Sequence, residues 1–326
     1  MKAAVYSENG GPEVLRYEDV ADPVLHPRGV IIEIGAIGIQ GGDVLNRQGG
    51  PLITNPHIVG YQAAGTILAK GDSVSSLQLG QRVVATMPFG SHAELVGLAA
   101  NAVWPIPDTL SIEEAAGVPI EFGTASDCLF EFGRLQPNET VLIQAGAGGV
   151  GLAAIQLAKE AGASQVLATA SSDERLERLR DFGLDHGINY AGRSPAEIAE
   201  EVRRLTEGRG VDLVIDPVGG ATLESSIAAL AYRGRISWVG QAGRETNPPS
   251  ISALMGKNAS ITGVFLGAEL ALNPQRTRPL IAELLERVAS GELRVATDKI
   301  FPLAEAAAAH RYIESRHAFG RVLLRP

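Results

Sequence analysis

The sequence predicts an α/β protein built around a doubly wound parallel sheet, and three observations carry that prediction. From residue 140 onward, short runs rich in β-branched residues alternate with amphipathic helical stretches. A glycine-rich turn joins the first of those runs to its helix. Finally, 38 glycines among 326 residues, with 45% hydrophobic and 20% charged residues, suit a well-packed chain with many tight strand-to-helix turns.

The length exceeds the usual size of one domain, so two domains with separate cores are expected. Before the repeating region, strand-like runs at 2–6, 30–39, 65–69 and 82–87 are separated by Gly and Pro turns, with little helical periodicity. The repeating region then reads as strand 141–144, helix 151–161, strand 166–170 and helix 173–182. Further strands follow at 187–189, 213–216, 235–240 and 260–265, giving six strands, enough for one Rossmann sheet. Beyond residue 267 a helix at 279–290, a strand at 299–302, an Ala-rich helix at 303–314 and a strand at 320–324 return to the style of the N-terminal part. The expected organisation is therefore a discontinuous domain, 1–121 with 267–326, into which a Rossmann domain, 122–266, is inserted.

The net charge of -9 would repel phosphate backbones and anionic lipid surfaces, so neither nucleic acid nor a membrane is an expected partner. No apolar run approaches the roughly 18 to 20 residues that span a bilayer. The first residues read as a strand and a Glu8-Asn9-Gly10-Gly11 turn, not a secretory signal, and a cytoplasmic protein is expected. Cys128 is the single cysteine, so no intrachain disulfide can form.

The strand 141–144 runs into Ala145-Gly146-Ala147-Gly148-Gly149-Val150-Gly151, where Gly146, Gly148 and Gly151 form a GxGxxG pattern between a strand and a helix. There the glycines allow a sharp turn and close approach of backbone to a pyrophosphate, whose charge meets the free N–H groups of the helix N-terminus. About 20 residues further on, an acidic side chain would select the ribose 2′-hydroxyl of NAD. Position 171 is instead Ser, followed by Ser172, Asp173, Glu174 and Arg175, a set suited to the 2′-phosphate of NADPH. Asp173 is expected to act as the helix N-cap, and Arg175 is read either as a phosphate ligand or as a solvated helix residue.

With these residues in place, the chain resembles the medium-chain dehydrogenase/reductase superfamily and, within it, the zinc-independent NADPH:quinone oxidoreductases. The resemblance spans nearly the whole length. It rests on Met1-Lys2-Ala3-Ala4, Gly38-Ile39-Gln40-Gly41-Gly42-Asp43, Gly60-Tyr61-Gln62-Ala63-Ala64-Gly65 and Gly80-Gln81-Arg82-Val83. It continues through residues 145–151, Gly187-Ile188-Asn189-Tyr190, Asp216-Pro217-Val218-Gly219-Gly220 and Gly320-Arg321-Val322-Leu323-Leu324.

The resemblance implies a GroES-like, partly barrel-shaped catalytic domain beside the Rossmann domain. Zinc-dependent relatives carry Cys at the Gly38 turn and His-Glu at the Gly60 turn; here Gln40, Tyr61 and Gln62 stand there, so no metal is expected. One cysteine cannot build a tetrahedral thiolate site either, and the six histidines show no ligand spacing, with His57 nearest the site. Without a Lewis acid, a small conjugated carbonyl acceptor such as a quinone or an enone is the expected substrate, because one neutral donor can meet the developing oxygen charge. Gln40 is the expected donor, with satisfaction of its own turn as the alternative role, and Tyr61 is the next candidate.

By the same resemblance, Thr124 would meet the nicotinamide ribose, while Ser171, Arg175, Tyr190 and Arg316 would surround the 2′-phosphate. Val218 and Gly240 join residues 146–151 as expected cofactor contacts. Tyr190 as packing and Gly240 as a plain turn residue are the alternatives. Leu45 stands where the family often has Tyr, which leaves quinone against enone or enoyl thioester open. A non-catalytic NADPH-binding protein is the reading from another class. A homodimer is expected through the edge strand 260–265.

Overall fold

The computed structural model describes residues 1–243 and 250–326. They form two compact units, Met1–Ile120 with Pro274–Pro326, and Glu121–Asn273. Residues 267–273 thus fall in the second unit, where Leu266–Leu272 is a helix that the sequence pattern did not signal.

The first unit is rich in sheet. Its larger sheet runs, in spatial order, through Thr297–Pro302, Arg321–Arg325, Gly29–Gly38, Gln62–Lys70, Arg82–Thr86 and Val103–Pro105, with Leu95–Ala99 also paired to Gly29–Gly38. A smaller sheet joins Arg16–Asp19, Lys2–Tyr6 and His57–Ile58. The returning C-terminus pairs antiparallel with the first half, Leu323 opposite Gly38 and Leu324 opposite Ile37, which accounts for the strand-like signal at both ends of the chain. Alternation along Gly29–Gly38 sends Val30, Ile32 and Ile34 into a core shared with Ile67, Val83, Phe301 and Leu324.

The second unit holds a six-stranded, all-parallel sheet. From one edge to the other it comprises His186–Asn189, Gln165–Ala170, Thr140–Ile143, Val211–Asp216, Leu230–Trp238 and Ser260–Gly263. Numbered along the chain, that order is 3-2-1-4-5-6, the doubly wound Rossmann arrangement. Buried on both faces, its strands read as continuous apolar runs, and Leu142, Leu167, Val214 and Ile236 pack with Ile198, Val202, Leu223 and Ile227 of the flanking helices. Among the described residues the final strand pairs on one side only, with Leu230–Trp238.

Several expectations need adjustment. The fifth strand begins at Leu230, not 235, and the last ends at Gly263, because Phe265 is already the N-cap of the next helix. Ser172, not Asp173, caps the helix Asp173–Arg180, its hydroxyl accepting the Arg175 amide at 3.4 Å. The turn at 38–43 opens directly into a helix, Gly41–Gly49, and His57 lies in a short strand.

Candidate functional site

In the first unit the strand Gly29–Gly38 ends and the chain passes through Gln40, the N-cap of helix Gly41–Gly49. The Gln40 amide N–H donates to Oδ2 of buried Asp43 at 2.8 Å, and the Asp43 N–H donates back to the Gln40 carbonyl at 3.1 Å. Both bonds use backbone at position 40, so the helix start does not depend on the Gln40 side chain alone. The Gln40 Nε2 lies 3.5 Å from the Gly38 carbonyl, the outer limit of a hydrogen bond.

Tyr61 comes to the same place. Its hydroxyl sits where a side chain on Gly42 would begin, so a larger residue at 42 would have to displace the phenol. The structure therefore brings Gln40 and Tyr61 to one helix N-terminus. Gln62 acts elsewhere, its Nε2 donating to the Ala116 carbonyl at 2.5 Å and its Oε1 accepting the Ile120 amide at 2.6 Å. Fully buried, it ties the segment 116–120 to the strand Gln62–Lys70. His57 is packed edge-on against Tyr6 and tilted against Phe89, and burial lowers its pKa. Among the described residues no group of three or more His, Cys, Asp or Glu side chains is gathered as metal ligands would be.

The C-terminal half of the same helix is pinned by a buried ion pair that sequence reasoning missed. Arg47, with no exposed surface, donates from Nη2 to Glu314 Oε1 at 2.5 Å, and Gln48 Nε2 reaches the same oxygen at 2.7 Å. Neighbouring His92 and His310, both fully buried, meet Nε2 to Nε2 at 3.1 Å. Nothing in their spacing of 218 residues signals the pair.

In the second unit the glycine loop follows strand Thr140–Ile143 and helix Gly149–Glu160 leaves it, with Gly148 as N-cap. A Cβ on Gly146 would stand 2.7 Å from Ala168 Cβ, and one on Gly151 would stand 2.6 Å from the Gly146 carbonyl, so both glycines are needed for helix-to-sheet packing. At Gly148 a Cβ would meet only the Ala145 carbonyl, at 3.4 Å, leaving the outer face of the loop open to a ligand. Gly149, Val150 and Gly151 form the first turn of the helix, whose N–H groups have no partner within it, and Ala147 precedes them in the turn.

At the end of the second strand, Ser171 and Arg175 come together, Arg175 Nη1 donating to Ser171 Oγ at 3.0 Å. Asp173 is turned to Asn189, whose Nδ2 donates to its Oδ1 at 3.1 Å. Tyr190 follows at the end of the third strand, its N–H on the Ala170 carbonyl at 3.0 Å and its ring against the core. Val218 and Gly240 sit on two loops stitched together by Gly243 N–H to the Val218 carbonyl at 2.9 Å and Ala242 N–H to the Pro217 carbonyl at 3.1 Å. A Cβ on Gly240 would lie 3.1 Å from the Pro217 carbonyl, so the stitching itself asks for a small residue there. Thr124 is buried in helix Pro119–Ser126. Arg316 belongs to the first unit, exposed at positive φ just past helix Ala306–Glu314.

Residues 149–287 match the zinc-binding dehydrogenase family and residues 26–108 the alcohol dehydrogenase GroES-like domain. A quinone oxidoreductase of Pseudomonas aeruginosa is 34% identical over 328 residues, covering 100% of this chain and 99% of that protein. A 2-haloacrylate reductase of a Burkholderia species is 32% identical, covering 99% and 98%. A phenolphthiocerol/phthiocerol polyketide synthase of Mycobacterium tuberculosis is 36% identical over 90% of this chain, which spans only 13% of that much longer protein. Among solved structures, mycobacterial Rv1454c complexed with NADPH superposes with a TM-score of 0.94 at 32% identity, covering both chains completely.

Proposed function

The chain belongs to the zinc-independent quinone oxidoreductases of the medium-chain dehydrogenase/reductase superfamily, and from that premise we propose that it passes a hydride from NADPH to a small conjugated carbonyl acceptor. The observation that carries the reading is the meeting of Gln40 and Tyr61, two neutral hydrogen-bonding side chains, at the N-terminus of helix Gly41–Gly49, where zinc-dependent relatives place ligands.

The residues fit NADPH. The face of the loop at Gly148 is open, helix N–H groups stand behind it, and Ser171 with Arg175 supplies a hydroxyl and a guanidinium where NAD enzymes place a carboxylate. When bound, NADPH supplies the hydride. Residues 146–151 would hold the pyrophosphate, Ser171, Arg175, Tyr190 and Arg316 would take the 2′-phosphate, and Thr124, Val218 and Gly240 would meet the nicotinamide half. Gln40 donates its amide N–H to the acceptor oxygen as negative charge develops there, with Tyr61 as the second donor. The helix dipole at Gly41 adds to that field.

A quinone is the preferred acceptor, as in the Pseudomonas relative. A second reading, an enone or enoyl-thioester reductase, is favoured by the Burkholderia relative, whose named substrate is an alkene conjugated to a carboxylate, and by the polyketide synthase match. NADPH oxidation followed against a panel of quinones, enones and enoyl thioesters decides between them. No turnover with any of them would overturn the reading, and loss of turnover to a chelator would overturn its metal-free form.

The protein forms a homodimer in this reading, through the one-sided strand Ser260–Gly263. Cys128 is buried and its thiol pKa is raised by burial, so it is unreactive, and a cytoplasmic setting rests in this reading on the single cysteine of the sequence. Among the described residues no helix is long and apolar enough to cross a membrane.

A further inference from the structure

A continuous line of buried side chains runs beneath the loops at the carboxyl ends of the first, second and fourth strands of the parallel sheet. Thr169 Oγ1 accepts the Ala145 N–H at 3.1 Å and stands 2.7 Å from Gln144 Oε1. Gln144 Nε2 lies 3.1 Å from Ser226 Oγ, and Ser226 Oγ lies 2.8 Å from Asp216 Oδ2. The other carboxylate oxygen, Oδ1, accepts the N–H groups of Val218 and Gly219, each at 2.9 Å. Gln144, Thr169, Asp216 and Ser226 are all at most 2% exposed, so no solvent completes or replaces these bonds.

Ser226 Oγ stands within reach of both Asp216 Oδ2 and, at 2.9 Å, the Thr222 carbonyl. Ser225 donates its hydroxyl proton to the Thr222 carbonyl at 2.7 Å and accepts from Gln144 Nε2 at 3.3 Å, and the same Nε2 reaches Ser226 Oγ. The amide nitrogen therefore faces the two serines and its oxygen faces Thr169. Thr169 in turn donates to that oxygen, leaving a lone pair for the Ala145 N–H. Ala145 is at φ 53°, a left-handed conformation that a non-glycine residue adopts only when held. Asp216 is thereby joined through Ser226 to an amide, a hydroxyl and finally the residue that opens the glycine loop. At its other end the same carboxylate fixes Val218 and Gly219, and through Val239 N–H on the Asp216 carbonyl at 2.9 Å the residue also holds the loop that carries Gly240. Burial raises the Asp216 carboxyl pKa, while the donors of Gly219, Ser226 and Val218 favour the anion.

We propose that Asp216 and Ser226 are positioning residues for the cofactor, joining the glycine loop to the Val218 and Gly240 loops through Gln144 and Thr169 so that the two segments are set as one unit. This rests on the NADPH reading above. Neither side chain need touch the cofactor.

The test is a set of NADPH titrations on the full-length protein with Ser226→Ala, Thr169→Val, the double variant and Asp216→Asn, which keeps the shape of the carboxylate. The fragment adenosine 2′-monophosphate, which carries the 2′-phosphate read by Ser171 and Arg175 but no 5′-phosphate for the glycine loop, serves as a control for folding. Each single variant is expected to weaken NADPH roughly tenfold while adenosine 2′-monophosphate changes less than about twofold. The double variant should be no weaker than about the worse single, because both break one chain. Asp216→Asn, which reverses the donor at Ser226, should weaken NADPH as Ser226→Ala does. Losses that multiply in the double variant, or NADPH affinity unchanged in Ser226→Ala or Asp216→Asn, overturn the proposal. Loss of both ligands in every variant but not in the wild type also overturns it, since the chain would then support the fold and not the loops. A wild-type protein that binds neither NADPH nor adenosine 2′-monophosphate overturns the cofactor reading itself.

Discussion

Arg175 Nη1 donates to Ser171 Oγ at 3.0 Å, so the guanidinium is already drawn to the end of the second strand of the parallel sheet, where the cofactor ribose is selected. That prior orientation removes part of the entropic cost of ordering a long side chain on binding. Arg175→Ala should therefore weaken NADPH by about 1.5 to 3 kcal/mol, the range for one charge-assisted hydrogen bond, and leave NADH nearly unchanged. Fluorescence titration of both cofactors checks this; an unaltered NADPH to NADH ratio would remove Arg175 from the site. Ser171→Ala should give a smaller loss of the same sign, because the charge remains and only its steering is lost.

Much of this arrangement was legible in the sequence, for physical reasons. The six-strand order follows from alternating strand and helix signals with a glycine turn, and Ser171 and Arg175 lie four residues apart at a strand end that the spacing locates. Helix Pro195–Leu205 was equally readable in principle: Ser194, Pro195 and Glu197 form a capping box with proline in the first turn, with Glu197 N–H on Ser194 Oγ at 3.3 Å. Helix Gly41–Gly49 was not, since it opens with two glycines and its capping box is made by Gln40 and Asp43 and not by the usual Ser/Thr and Glu/Gln. The pairs Arg47 with Glu314 and His92 with His310 join parts of the chain more than 200 residues apart, and no local pattern announces them.

Gly42 offers a direct test of the meeting between the two donors. Because the Tyr61 hydroxyl occupies the space a Cβ would need, Gly42→Ala must push the phenol or the helix aside. Turnover of the best acceptor should fall by roughly tenfold, about 1.4 kcal/mol, with NADPH affinity unchanged. Tyr61→Phe in the Gly42→Ala background should add little further loss. Full activity in Gly42→Ala would mean that Tyr61 stands outside the reaction.

The edge strand makes a prediction about assembly that depends on which amides face outward. Val264 N–H is bonded inside the sheet to the Trp238 carbonyl at 2.9 Å, so Val264→Pro would damage the sheet itself and not an interface. In a parallel ladder alternate residues bond to the same neighbour, which leaves the amides of Ile261 and Gly263 on the open side. Ile261→Pro should shift the protein from dimer to monomer in light scattering at micromolar concentration. A dimer unaffected by that substitution uses another surface.

Stability should fall in mild acid because of His92 and His310. Burial lowers the His92 pKa to about 3 and holds His310 well below its ordinary value, with the His92 ring and Arg47 further opposing charge on His310. In the unfolded chain both titrate near 6.5. Above that pH neither state binds a proton and the pair costs nothing; below it the unfolded chain takes up protons that the folded one refuses. Stability is thus complete above the unfolded pKa and is lost as pH falls towards the folded values, by about 1.4 kcal/mol per pH unit for each histidine. Denaturant unfolding at pH 7.5 and pH 5.5 measures the loss, and His310→Gln, which keeps a hydrogen-bonding group without a titrating one, should flatten the dependence. An equally steep dependence in His310→Gln would assign the acid sensitivity to other groups.

The last expectation concerns Gln40. Its side chain shares a capping box with Asp43, but the Gln40 N–H on Asp43 Oδ2 uses backbone, so Gln40→Ala should cost the helix start about 1 kcal/mol and leave the fold intact. Its Nε2 reaches the Gly38 carbonyl only at 3.5 Å, and exchanging so long a contact for a short bond to an anionic oxygen favours the transition state over the resting enzyme. A dry, preorganised donor is worth about 2.7 to 4 kcal/mol, and one that water can replace is worth less. Gln40→Ala should reduce turnover by roughly tenfold to a hundredfold with NADPH affinity nearly constant, the signature of an interaction made only as charge develops. Gln40→Asn, an amide on a shorter stem, should recover part of the rate. Normal turnover in Gln40→Ala would transfer the donor role to Tyr61, whereas a fall in NADPH affinity would place Gln40 in the cofactor site and remove it from the chemistry.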